Sequence, residues 1–130
     1  MRKRERQMQA RIVHPEPSSE FYTSERCFIL ESWNNPEDEG VSIARARVPP
    51  GVTTALHAVS ATVERYLIIS GSGIVTVDTL LPTAVTPGDV VLIPPGKPQR
   101  VTNNGDTDLV FYAICTPRFQ QSAYQALEPQ

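Results

Sequence analysis

Proline cuts this chain into short pieces. Pro49, Pro50, Pro82, Pro87, Pro94, Pro95 and Pro98 stand between brief apolar runs. Proline has no backbone N–H to give a sheet ladder, so these positions belong at strand ends or in turns. The runs between them, 27–33, 41–48, 64–69, 74–78, 89–93, 99–102 and 109–115, are rich in Val, Ile and aromatic residues and read as strands. Ser70-Gly71-Ser72-Gly73 and Asn103-Asn104-Gly105-Asp106 read as hairpin turns. Many short strands with frequent turn signals predict an all-β, antiparallel sandwich or barrel. Helix is expected only at the ends, as a charged helix over 2–11 and another over 117–127, where Phe119, Ala123 and Leu127 recur at i, i+4 and i+8. The organisation expected is a basic N-terminal segment and extension (1–20), one barrel (21–117) and a helical tail (118–130).

The 130 residues suit one domain with its own core. No apolar run approaches the length of a membrane span, and no apolar stretch follows the basic start as in a secretory signal. A cytoplasmic setting with no membrane partner follows as the expectation. Residues 1–11 hold five basic side chains and one acidic; the rest holds 7 basic and 13 acidic, a net charge of −6. A body that acidic is a poor match for a phosphate backbone, so no nucleic-acid partner is expected. Cys27 and Cys115 fit no metal-binding spacing and read as buried free thiols.

The chemistry concentrates in residues 51–103. Gly51, His57, Glu64 and Gly71 form one spaced block, and Gly88, Pro94, Gly96 and Asn103 a second. These blocks resemble the two motifs of the cupin family, G-x5-HxH-x3–4-E-x6-G and G-x5-PxG-x2-H-x3-N. The resemblance implies a double-stranded β-helix, or jelly-roll, barrel of the small single-domain kind. It also implies a site inside the barrel. Strand alternation puts His57 with Val59, Glu64 with Tyr66, and Gln99 with Val101 on common faces. If His57 and Glu64 point inward, the others do as well.

In the family pattern two histidines and the glutamate of the first motif, with the histidine of the second, hold a metal. Here His57 and Glu64 keep their places, but Val59 and Gln99 occupy the other two. Val59 cannot ligate, and the Gln99 carbonyl oxygen is a weak ligand. One reading has His57, Glu64 and Gln99 holding a single divalent Mn, Fe, Ni or Zn, with no organic cofactor. The protein is then a metal-dependent lyase, dioxygenase, decarboxylase or isomerase acting on a small organic acid, sugar derivative or carbonyl compound. In the other reading the metal is lost and the cavity binds or senses a small molecule, with His57 and Glu64 still able to do acid–base work. Arg45 and Arg47 share a strand face and would suit an anionic ligand if that face points inward. Tyr66 and Val59 complete the expected ligand-binding surface. A homodimer is expected, with Phe119 and Tyr124 near its two-fold axis.

Overall fold

The computed structural model describes residues 8–128. Among these, eleven strands build two antiparallel sheets. One sheet has six strands in the order β1 (Phe21–Tyr22), β2 (Phe28–Trp33), β3 (Ser42–Val48), β10 (Leu109–Thr116), β5 (Val63–Ser70) and β8 (Val90–Ile93). The other has five, β11 (Tyr124–Ala126), β4 (His57–Val59), β9 (Gln99–Thr102), β6 (Gly73–Val77) and β7 (Thr83–Val85). This is the all-β antiparallel architecture expected. Three short strands, β1, β7 and β11, have no counterpart in the sequence reading. At two or three residues they are too short to show alternation.

The ends differ from expectation. Residues 2–7 of the expected first helix lie outside the described residues, and 8–16 have no regular structure before a single 3₁₀ turn at Pro17–Ser19. The segment 117–127 is not an α-helix. It holds one 3₁₀ turn, Gln121–Ala123, and then β11, which pairs with β4 through Tyr124↔Val59, Gln125↔Ala58 and Ala126↔His57. A short isolated helix is marginal in water, and the sheet supplies these backbone groups with partners the helix pattern did not reveal.

Alternation sets the two faces of each strand. On β5, Glu64, Tyr66 and Ile68 are buried while Arg65 and Leu67 are only half so. Tyr66, Ile68, Val75, Val77, Ile93, Val101, Leu109 and Phe111 from both sheets belong to one apolar core.

The spaced motif residues turn out to be joints between the two halves of the barrel. Asn103 is fully buried; its amide donates to the carbonyls of Val48 and Thr107, both at 2.8 Å, and its side-chain oxygen accepts from Gly105 N–H. Gly51 N–H donates to Asn103 O at 2.9 Å, so the start of one motif meets the end of the other. Gly96 N–H donates to Val59 O at 2.8 Å in the same way. Gly71, at φ +81°, passes so close to Asp108 that a Cβ would lie 2.4 Å from its carbonyl oxygen. Asn103→Ala strands two buried carbonyls and one N–H, and should cost about 2–3 kcal/mol, read as a lower urea midpoint with an unchanged slope.

Candidate active site

Between the sheets lies a cavity of about 710 Å³, within the range of small-molecule sites. Glu64, Tyr66, His57 and Val59 line it, together with Glu25 and Tyr124. Glu64 and Tyr66 come from β5 in one sheet, and His57 and Val59 from β4 in the other. His57, Val59, Glu64 and Tyr66 are all buried, at 4–7% exposure.

Gln99 has a different place. It is 0% exposed and lies behind the wall rather than on it. The Tyr66 hydroxyl donates to its Oε1 at 2.5 Å, and its Nε2 donates to Glu64 Oε1 at 2.7 Å. The amide thus passes a hydrogen bond from a phenol to a carboxylate, and both neighbours fix its orientation. Glu64 Oε2 has only the Cys115 thiol, at 3.8 Å. Burial raises the Glu64 pKa above its ordinary value, against the lowering effect of His57. Cys27 and Cys115 are free and buried, and burial pushes their thiols up to about 11 and about 12.

His57 faces an acceptor at each nitrogen. Its Nδ1 lies 2.9 Å from the Ala55 carbonyl, to which it donates, and its Nε2 lies 2.9 Å from Glu25 Oε2. The Glu25 approach is oblique, and this oxygen, itself buried, has no well-aligned donor. Burial alone depresses the proton affinity of the ring, but hydrogen bonding and charge from Glu25, with help from Ala55 and Glu64, turn the net direction upward. The surroundings therefore favour the protonated ring more than water does. Tyr124 stacks on it at 5.2 Å and 20°.

Glu25 and Tyr124 escape the sequence reading for physical reasons. Glu25 sits in a turn between β1 and β2 that is closed by Arg26 N–H to Thr23 O and by Glu25 N–H to Thr23 Oγ1. No motif spacing reaches it. Tyr124 belongs to the segment read as helical. The two are locked together from outside: Arg26 grips Glu128 through Nη1 at 3.2 Å and Nη2 at 2.8 Å, and Glu128 accepts from Leu56 N–H.

Two expectations need correction. Arg45 and Arg47 do not enter the cavity. They lie on the opposite face of β3 from buried Ala46 and Val48, and Glu20 binds both, with Asp108 also on Arg47. The three-ligand metal set is not arranged to ligate. Gln99 spends its oxygen on Tyr66 and its nitrogen on Glu64, while the Nε2 of His57 faces the Glu25 carboxylate and its Nδ1 the Ala55 carbonyl. Among the described residues no group of three or more His, Cys, Asp or Glu side chains is placed to hold a metal ion. The donor set does not fit a divalent Mn, Fe, Ni or Zn.

The raised values give a signed pH dependence. His57 and Glu64 both bind their protons more tightly in the folded chain. Their stabilisation is complete below the unfolded values and is lost as pH rises through the folded ones. The melting temperature should therefore fall as pH rises above about 6.5, the ordinary histidine value. Breaking a fully buried pair costs about 3–5 kcal/mol, and Glu25 is only partly buried, so Glu25→Gln should cost about 2 kcal/mol at about pH 6. That difference should shrink as the pH is raised, which thermal melts of both proteins across the range would measure.

The comparisons with known proteins fit this fold. The cupin-domain profile matches residues 44–115. An uncharacterized protein of Methanocaldococcus jannaschii is 33% identical over 87 residues, 67% of this chain and 69% of that protein. The oxalate-binding protein of Thermotoga maritima is 34% identical over 71 residues, 55% of this chain and 58% of that one. Among solved structures, a predicted oxalate decarboxylase of Thermotoga maritima has a TM-score of 0.73 at 22% identity, covering 82% of this chain and 99% of its own. Pac13, a nucleoside dehydratase, has a TM-score of 0.73 at 11% identity, covering 91% and 92%. At such identities the structural likeness speaks for the fold. No helix among the described residues is long and apolar enough to cross a membrane. With more than half of its length matched by the domain profile and its two motifs joined as described, this chain belongs to the cupin family.

Proposed function

We propose that this cupin acts on a small hydroxyl- or carbonyl-bearing molecule by proton transfer between its own side chains, without a metal. The observation that carries this reading is the placement of both His57 nitrogens against acceptors, Ala55 O and Glu25 Oε2. It makes the ring a proton donor rather than a ligand. Glu64 supplies the complementary group across the cavity. Its burial makes it a stronger base than a solvated carboxylate, and Gln99 holds it in one orientation.

An elimination shows how the two would cooperate. Glu64 takes a proton from carbon next to a carbonyl, and the electron pair left behind forms the new double bond. The C–O bond at the neighbouring carbon breaks, and the departing hydroxyl leaves as water with the Nε2 proton of His57, passed on through Glu25 Oε2. Glu64 and His57 then re-equilibrate their protons with solvent at the cavity mouth. The dehydratase named among the structural neighbours gives this reaction class a precedent on the fold. An enolisation using the same pair would give an isomerase.

Metal analysis of the purified protein tests the reading. It should contain well under one equivalent of Mn, Fe, Ni or Zn, and adding these ions should not raise its melting temperature. A stoichiometric metal that stabilises the fold would overturn it. In a screen of small hydroxy-carbonyl compounds, turnover should survive a chelator and fall by about 10²–10⁴ in His57→Gln or Glu64→Gln. Binding without turnover would assign the cavity to sensing instead.

A further inference from the structure

The cavity is unevenly supplied with charge. Glu25 and Glu64 both face it, and His57 and Arg118 are the only histidine, lysine or arginine side chains among its lining residues. Arg118 is half-buried, with Nη1 donating to Asn34 Oδ1 at 2.9 Å. Arg45 and Arg47 are held by Glu20 on the other face of β3. An anionic ligand entering this space would look for His57. That position is taken: Glu25 Oε2 stands 2.9 Å from Nε2, and Nδ1 is engaged by Ala55 O.

We infer that Glu25 is the specificity determinant of this pocket, an internal anion that occupies the place of a ligand carboxylate and so restricts the site to uncharged or cationic molecules that donate hydrogen bonds. The acceptors on offer agree. Glu25 Oε2 has no aligned donor, and Glu64 Oε2 has only a distant thiol. A hydroxyl, amide or ammonium group meets these oxygens favourably. A carboxylate meets two like charges, with His57 already facing Glu25 and the Arg118 guanidinium bonded to Asn34, in a space with apolar walls such as Ile29, Val59 and Phe111. Glu25 is able to play this part because its turn is anchored independently of the cavity. Glu25 O accepts from Ala55 N–H at 3.1 Å, and neighbouring Arg26 is fastened to Glu128 and to Thr53 O. This inference rests on the metal-free reading of the site.

The test uses oxalate as a compact dicarboxylate probe, titrated calorimetrically into the full chain with a chelator present. The native protein and Glu25→Asp, which keeps the charge, should show no binding. Glu25→Gln and Glu25→Ala, which leave His57 without its partner, should gain oxalate affinity by at least about tenfold. Folding of each variant is checked by circular dichroism, and either neutral variant suffices. Oxalate binding by the native protein in chelator overturns the inference, as does a folded neutral variant that gains nothing. Binding by the native protein that vanishes with chelator and returns with added metal identifies a different failure, that of the metal-free reading.

Discussion

A carboxylate taken out of water must find donors or a counter-charge, and two of them share the interior of this barrel. Glu64 is supplied by the Gln99 amide and the Cys115 thiol, and Glu25 by the imidazole of His57. The cost of leaving either unsupplied exceeds the worth of most single contacts in the fold. The arrangement at this end of the barrel follows from that cost. Tyr66 donates to Gln99 so that the amide turns its nitrogen toward Glu64. His57 gives Nδ1–H to Ala55 so that Nε2 is directed at Glu25. The chemistry assigned to the cavity uses the same proton donors and acceptors that make burial of its charges tolerable.

These groups come together only because two sheets are held in one register. Glu64 lies on β5 opposite Cys115 of β10, and His57 on β4 pairs directly with Gln99 of β9. The sheets meet through backbone contacts between the two motifs, Gly51 to Asn103 and Gly96 to Val59, as well as through the Gln99 bonds to Tyr66 and Glu64. The glycine and asparagine joints are backbone contacts that do not depend on the side chains at positions 59 and 99. This allows Val59 and Gln99 to stand where the family pattern has histidines while the barrel is unchanged.

The barrel was legible because its determinants are local: prolines and glycines at turns, period-two burial on each strand, and fixed spacing within two motifs. Once the cupin resemblance turns His57 and Glu64 inward, alternation carries Val59, Tyr66, Gln99 and Val101 with them, and all six are buried. What alternation could not supply was the other half of the site. Glu25 reaches His57 from a turn thirty-odd positions earlier, and Tyr124 from a segment whose apolar spacing favoured a helix. Arg45 and Arg47 were ambiguous for the opposite reason. Alternation put them on one face without saying which, and Glu20, in an extension with no periodicity, settles them outside. The amide of Gln99 gave no hint that it would serve the carboxylate from behind the wall.

The clasp of Arg26 on Glu128 has a temporal side. His57, Glu64 and Gln99 belong to strands completed early or midway in synthesis, but the Tyr124 wall and the Glu128 anchor lie beyond β10. A ribosome making this protein N- to C-terminus releases the sheets before it releases the segment that closes their open flank. Until the chain has emerged through Glu128, the turn bearing Glu25 has no outer fastening, and the imidazole it pairs with lacks the ring that covers it. The pocket is a late product of folding even though its central residues are among the earlier ones translated. A nascent chain that has emerged only through β10 would carry ten of the eleven strands and an unfinished site.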